Sequence, residues 1–350
     1  MTLKEIAKLA GVSTATVSYV LNNSAPVKDE TKKRVLSIVK STGYTSNSIA
    51  KSLRVNKTKT IGIIVEDMTV IQVPILIDGI NEFAELSGYK TLLSNLRFLS
   101  KHKSKYDNVI STKEVTQTAF NTLLGMQVDG IIYIGTYDKY IEELPSCSKP
   151  VVYCNCFGKH VNAMNVSYNN MDAAYRITRQ LIGFGHTSIG LITGRMDTYP
   201  AIERYKGYKK ALLEYNITLN HEYVVNGAWG YHKGKEAAAK LFHLDNPPTA
   251  IFAMNDNMAI GVYEAALEYG IRIPEDISVF GFDNAETSKY IRPRMSTVNI
   301  PLKEIGIKST EMLINQIEGD NITQTQLLLP CEIVLRSSVI KKSKSSTFNC

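Results

Sequence analysis

Apolar residues recur at helical spacing three times within the first 45 residues, after which the pattern changes. Leu3, Ile6, Ala7 and Ala10 share one face of a first helical stretch, Leu3–Leu9 and just beyond. Thr2 and Glu5 form a T-x-x-E capping box at its start. Gly11 permits the positive φ of a tight turn, and Val12 plugs the space beneath it. Ser13 is a good N-cap for a second helix over Ser13–Leu21. Val17, Val20 and Leu21 face inward on that helix, and Thr14, Ala15, Ser18 and Tyr19 face outward. Residues 22–26 read as a loop. A third helix, from about Asp29 to Thr42, buries Val35, Ile38 and Val39 and ends at Gly43. Two short helices joined by a glycine turn have the layout of a helix-turn-helix, whose second helix enters a DNA major groove.

From Thr60 onward apolar runs alternate with amphipathic stretches. Predicted strands are Ile61–Val65, Lys90–Ser94, Gly130–Ile134, Pro150–Asn155, Ile189–Thr193, Ala250–Ala253 and Ile277–Phe282. Predicted helices are Val73–Ser87, Thr112–Met126, Asn170–Phe184, Ile202–Tyr215, Tyr231–Leu244 and Asn257–Tyr269. Such alternation implies parallel sheets with helices on both faces. Ligands of such sheets sit at the carboxyl ends of the strands.

Charge separates the two regions. Residues 1–60 carry 11 Lys/Arg against 3 Asp/Glu, whereas the other 290 carry 29 against 30. The whole basic excess therefore lies at the N-terminus, which suits a nucleic-acid binder. Five cysteines form no C-x-x-C pair and no zinc-spaced cluster, so no structural metal or cofactor is expected. The N-terminus lacks a signal-peptide core, and no run of about 18 apolar residues occurs. A cytoplasmic protein that does not span a membrane is the expectation.

Several motifs in order carry a resemblance. Leu3-Lys-Glu-Ile-Ala-Lys-Leu-Ala-Gly-Val-Ser-Thr-Ala-Thr-Val-Ser, Val27-Lys-Asp-Glu-Thr-Lys-Lys-Arg-Val, Gly43-Tyr44 and Asn47-Ser-Ile-Ala-Lys-Ser-Leu53 resemble the headpiece of the LacI/GalR family of bacterial transcription regulators. The likeness continues to about Ser337. It implies a three-helix helix-turn-helix headpiece on a periplasmic-binding-protein-like α/β core of two doubly wound lobes. The implied layout is headpiece 1–45, hinge 46–58, core 59–340 and flexible tail 341–350. Lobe 1 would span about 59–162 and 293–324, and lobe 2 about 163–292 and 325–340, with crossings near Asn162, Pro293 and Gln324.

The resemblance assigns base-facing positions to Thr14, Ala15 and Tyr19, and phosphate contacts to Ser13, Thr16, Ser18 and Asn22. Tyr19 departs from the family's usual Arg or His; it either reads a base or lies on the sugar-phosphate backbone. The segment Asn47–Arg54 resembles the hinge helix that folds in the minor groove. There Leu53 matches the apolar wedge and Ala50 its small neighbour. Lys51, Arg54, Lys57 and Lys59 would meet phosphates. Ser46 stands where the family usually has proline.

For the core, Asn155, Arg204, Trp229, Asn255 and Asp283 fall on family effector positions. Their chemistry suits a polyol: Asp283 accepts hydroxyls, Arg204 donates a bidentate pair, the asparagines do both, and Trp229 stacks on a sugar face. A structural Arg204–Asp283 ion pair and a core role for Trp229 are the competing readings. Asp67–Pro74 should line the cleft, and His186 should pin a turn. The implied effector is a sugar or sugar derivative, with a purine, a nucleoside or a phosphocarrier protein as alternatives. A homodimer on a near-palindromic DNA operator is expected, since Lys341–Cys350 has no leucine heptad. Two rival readings, an enzyme or an exported solute-binding protein on the same fold, lack G-x-G-x-x-G, Walker A, G-x-S-x-G and H-E-x-x-H motifs or an export signal.

Overall fold

A computed structural model describes residues 1–43, 57–101, 109–320 and 324–342. The chain divides into two compact units, Met1–Thr58 and Lys59–Cys350.

The first unit contains α1 (Leu3–Ala10), α2 (Thr14–Asn22) and α3 (Asp29–Thr42). Both halves of the capping box form: Thr2 Oγ1 accepts from Glu5 N at 3.3 Å, and Glu5 Oε2 accepts from Thr2 N at 2.8 Å. Gly11 closes α1 at φ 61°, and Ser13 Oγ accepts the Thr16 amide at 3.1 Å to start α2. The core is small: Ile6, Ala7, Ala10, Val17, Val20 and Val35 are buried, sealed by half-buried Leu3, Val12, Leu21, Val27, Ile38 and Val39. Each fully buried Ile or Val contributes about 1.5–3 kcal/mol, so a handful of contacts carries this unit.

The second unit is built on two parallel sheets. The first has strand order β13-β7-β5-β3-β1-β2 and the second β11-β10-β8-β9. The first sheet comprises β1 (Thr60–Val65), β2 (Lys90–Asn95), β3 (Gly130–Ile134), β5 (Val151–Cys154), β7 (Met164–Tyr168) and β13 (Gln326–Leu329). The second comprises β8 (Ile189–Thr193), β9 (Val224–Asn226), β10 (Ala250–Ala253) and β11 (Ser278–Phe280). Short pairs β4 (Tyr140–Ile141) with β6 (Phe157–Gly158), and β12 (Thr297–Asn299) with β14 (Glu332–Val334), complete it. The helices used below are α4 (Val73–Leu86), α5 (Val109–Gly125), α6 (Asn170–Gly183), α7 (Tyr199–Glu214), α8 (Tyr231–Phe242), α9 (Asp256–Glu268) and α10 (Leu302–Glu318). Every residue of β3 and β8 is buried, which is why both read as continuous apolar runs.

Three pairings correct the expected crossings. β7 still pairs with β5, so the first change of sheet follows Tyr168 rather than lying near Asn162. β12 lies beside the second sheet through the Phe280–Ser296 and Asp283–Asn299 bridges, so the second crossing follows Asn299, not Pro293. β13 pairs with β7, which moves the third from near Gln324 to beyond Leu329. A strand belongs to whichever sheet supplies its hydrogen bonds, and that partner is distant in sequence. Helix α10 lies outside the predicted series because its buried face mixes Leu302, Ile305, Leu313 and Ile314 with Gly306, Ser309 and Thr310. Helix α7 begins at Tyr199 rather than Ile202, with Pro200 in its first turn.

Helices α4 and α10 cross in backbone contact at two glycines. A Cβ on Gly79 would lie 2.1 Å from the Lys303 carbonyl oxygen, and one on Gly306 2.2 Å from the Leu76 carbonyl oxygen. Neither neighbour is a side chain that could swing away. Gly306→Ala is therefore expected to cost about 1–3 kcal/mol by forcing the helices apart. Gly125→Ala, where a Cβ meets nothing within 4 Å, is the control. Urea unfolding of the full chain checks both; equal stability of the two variants would refute the crossing constraint.

Candidate functional site

Two surfaces carry the expected chemistry. On the first unit, α2 presents Thr14, Ala15 and Tyr19 outward, with Tyr19 45% exposed. Thr16 and Ser18 are half-buried. The exposed Ser13 spends its hydroxyl on the Thr16 amide and on the Thr16 hydroxyl at 2.9 Å. Its role is first a helix cap. The amides of Thr14 and Ala15 remain at the positive end of the helix, where a phosphate is favoured. The Asn22 side chain and the hinge positions Asn47, Ala50, Lys51, Leu53 and Arg54 lie outside the described residues. Lys59 departs from expectation: its ammonium pairs with Glu318 at 2.7 Å and lies 4.4 Å from the Tyr89 ring centre. Its ammonium is thus engaged within the second unit.

In the second unit the carboxyl ends of the strands meet between the lobes. Arg204, 3% exposed, enters from α7, which follows β8. Its Nε donates to Asn170 Oδ1 at 2.8 Å, Nη2 to the Tyr168 hydroxyl at 3.1 Å, and Nη1 to the Met254 carbonyl. The guanidinium lies 3.5 Å from the Phe282 ring centre and 5.5 Å from that of Trp229. Asp138, following β3, is fully buried and accepts from the Ser167 hydroxyl and the Asn170 amide. Asn170 thus joins Asp138 to Arg204. An aromatic cluster spans the lobes nearby: Tyr199 of α7 packs 5.6 Å from Tyr140 and 5.0 Å from Phe157, measured between ring centres.

The remaining expected residues have distinct surroundings. Asn155 follows β5 at φ 56° and is 1% exposed; its Nδ2 donates to the Gly135 carbonyl at 3.3 Å. Its Oδ1 is buried without a hydrogen-bond partner. Half-buried Asp283, just past β11 at φ 112°, makes no ion pair with Arg204, which removes that competing reading. Asn255 caps α9, accepting from the Met258 amide at 2.8 Å, while its Nδ2 donates to the Trp229 carbonyl at 3.2 Å. The Trp229 indole lies against Gly194, where a Cβ would come within 2.0 Å of the ring. Asp67 does local work, accepting from the Thr69 amide and hydroxyl and from Leu99 N. His186 was expected to pin a turn; its ring nitrogens lie 3.0 Å from the Thr249 hydroxyl and 3.0 Å from the Ile340 carbonyl, so it ties the segment after β14 to the second sheet. Sequence reasoning missed Asp138, Tyr168 and Asn170: Asp138 follows β3, whereas Tyr168 ends and Asn170 follows β7, a strand that the apolar pattern did not bring out. A separate cavity of about 460 Å³ in the first lobe includes Glu66, whose carboxylate already holds Lys139 at 2.7 Å.

Burial dominates the titration of both acids. It pushes Asp138 up to about 6, against the lowering effect of its Ser167 and Asn170 hydrogen bonds and of Arg204. It pushes Asp283 up to about 7, opposed by Arg204 and reinforced by Asp256.

Residues 2–47 match the family described as bacterial regulatory proteins, lacI family, and residues 178–339 a periplasmic binding protein-like domain. The ribose operon repressor of Haemophilus influenzae is 32% identical over 97% of this chain and 98% of its own length. The chain belongs to the LacI family. Catabolite control protein A of Priestia megaterium is also 32% identical, over 97% of this chain and 99% of its own. The lac repressor dimer, solved with operator and the anti-inducer ONPF, shares the fold at TM-score 0.78 and 23% identity, covering 97% of this chain and 99% of that one. This LacI-family chain is a DNA-binding transcriptional repressor controlled by a small effector. Among the described residues no helix is long and apolar enough to cross a membrane.

Arg204→Met is expected to strand Tyr168, Asn170 and the Met254 carbonyl, and to remove the positive charge that opposes the burial-raised pKa of Asp138 and Asp283. The loss should be about 3–5 kcal/mol near pH 8. The sign follows from the raised acids. Each favours the folded state most when protonated, and stability declines as pH rises through about 6 for Asp138 and about 7 for Asp283. The defect of Arg204→Met should therefore shrink at pH 5. Urea melts at the two pH values check this; a larger loss at pH 5 would contradict it.

Proposed function

We propose that this LacI-family chain acts in the cytoplasm as a homodimer on a near-palindromic operator, with its DNA affinity set by a sugar or sugar derivative held between the lobes. The observation that carries the DNA half is α2 itself: a capped helix presenting Thr14, Ala15 and Tyr19 outward from its first turns. Two such helices would enter successive major grooves, and Leu53 from each hinge would wedge the minor groove between them. Thr14 can hydrogen-bond a base or touch a thymine methyl, and Ala15 offers apolar contact only. Tyr19 has one hydroxyl and a ring face, so it cannot grip guanine O6 and N7 as an arginine would. The operator half-site should differ accordingly from that of relatives with arginine there.

The effector half is supported by the ring of strand ends around Asn155, Asp138, Arg204 and Asp283, and by the naming of a relative as a ribose operon repressor. An effector bound there favours one lobe arrangement over another and so shifts hinge pairing. Coupling of this kind is typically ~1–3 kcal/mol.

Operator binding by gel shift tests the reading. Leu53→Ala should weaken operator affinity while calorimetric effector binding stays intact; unchanged operator affinity would remove the wedge role. Tyr19→Arg should move the half-site preference toward guanine in a selection from randomised duplexes. An identical selected site for both proteins would place Tyr19 on the sugar-phosphate backbone instead.

A further inference from the structure

The lobes touch at their rim through three aromatic rings. In the first lobe Tyr140 of β4 and Phe157 of β6 are register partners, with ring centres 5.4 Å apart. Tyr199 reaches them from the second lobe, edge-on to Tyr140 at 5.6 Å and 5.0 Å from Phe157. Phe157 is 1% exposed and Tyr199 half-buried, while Tyr140 is 50% exposed. Tyr199 is the first residue of α7, the helix that also carries Arg204 to the floor of the cleft. Pro200 stiffens that helix start. Thr198 ahead of it donates its amide and its hydroxyl to the Arg195 carbonyl, at 3.0 and 2.6 Å. A fixed backbone therefore presents the ring.

Two kinds of contact thus join α7 to the first lobe, and they respond differently to opening. At the floor, Arg204 gives three of its five N–H groups to protein partners, one of them to Tyr168 of the first sheet. Water entering a parted cleft can take the place of Tyr168, which offsets most of that loss. Nothing in water replaces a ring packed on a ring, and each aromatic pair contributes beyond the area it buries. Parting the lobes would expose Phe157 and Tyr199 without compensation. Burial, with the charges of Glu203 and Asp138, holds the Tyr199 hydroxyl above its ordinary range, so the shut contact stays uncharged.

We propose that Tyr199 is a positioning residue that holds the lobes shut in the ligand-free protein, its ring clasping Tyr140 and Phe157 until the cleft opens. The clasp sets how often the open form occurs, and a ligand that enters only that form binds more weakly in proportion to its rarity. Loss of both ring pairs with Tyr199 should raise the open population about five-fold or more. Gating of an effector rests on the reading of the cleft as the effector site. Closure is measured without any ligand, so its failure would leave that reading standing.

Cys331 supplies the reporter. It stands at the third crossing, is 3% exposed, and lies close enough to Arg204 and Asp138 to feel both charges. Burial pushes its thiol up to about 12, so it should react slowly while the lobes are shut. Cys156, fully buried in the core of the first lobe, reports unfolding instead. Labelling of the ligand-free full-length protein with N-ethylmaleimide near pH 8, resolved site by site by mass spectrometry, measures both. Where opening is fast, the rate at Cys331 follows the open population. Tyr199→Ala should speed Cys331 labelling about five-fold or more, and Tyr140→Ala, which removes one ring pair with Tyr199, about two-fold or more. Cys156 should be unchanged in both, and Tyr199→Phe, which keeps the ring, should match the parent. Unchanged Cys331 labelling in Tyr199→Ala would overturn the clasp. Equal acceleration at Cys331 and Cys156 would also overturn it, as general loosening. A Tyr199→Phe variant as fast as Tyr199→Ala would place the hold in the hydroxyl and overturn the ring contact.

Discussion

The guanidinium of Arg204 is buried where the two lobes meet, and groups from both lobes hold it. Tyr168 belongs to the first sheet, whereas Met254 and Phe282 close the strand ends of the second. Asn170 stands at the first crossing and hands the network on to Asp138 of the first lobe. A buried cation is tolerated only where such partners replace water. The lobes are therefore registered against each other by one satisfied charge, with the Tyr140–Phe157–Tyr199 rings beside it. Rotation of either lobe would have to break charge-assisted hydrogen bonds or carry them along. Such a junction favours a small number of discrete arrangements over continuous bending, which is what a ligand-controlled switch requires.

Helix packing within each lobe reinforces that discreteness. Gly79 and Gly306 bring α4 and α10 into backbone contact, and Gly207 does the same for α7 against Met171 of α6. Lobes joined this tightly move as bodies, so deformation concentrates at the crossings after Tyr168, Asn299 and Leu329. The headpiece is a different case. Its buried core is a few aliphatic side chains, and much of its definition comes from caps at Thr2, Gly11, Ser13 and Gly43.

That contrast explains what could be read in advance. The head was legible because each of its signals is local: a capping box three residues wide, a glycine at φ 61°, and apolar residues three and four apart. Parallel strands buried on both faces were also legible as apolar runs. The crossings were not, because the lobe of β7 or β13 depends on a partner far along the chain. Site positions followed the same division. Asn155, Arg204 and Asp283 were singled out by the family resemblance, but the partners that each side chain meets in the fold were not legible in the sequence. Arg204 was expected to offer donors to a ligand; three of its five N–H groups go to Tyr168, Asn170 and Met254, residues that only the folded topology brings to it. Asn255 likewise turned out to be a helix cap whose second hand holds the Trp229 loop.

The place where the core begins gives the switch a mechanical handle. Lys59 sits at φ 51°, its amide donating to Asp129 at 2.7 Å and its ammonium held by Glu318. Glu318, the last residue of α10, also accepts the Tyr89 hydroxyl at 2.8 Å. Burial and that carboxylate together hold the Tyr89 hydroxyl protonated far above its ordinary range. The chain thus leaves the core from a point fixed on α10, the helix that follows the second crossing and packs on α4. A lobe movement that displaces α10 must displace Lys59 with it.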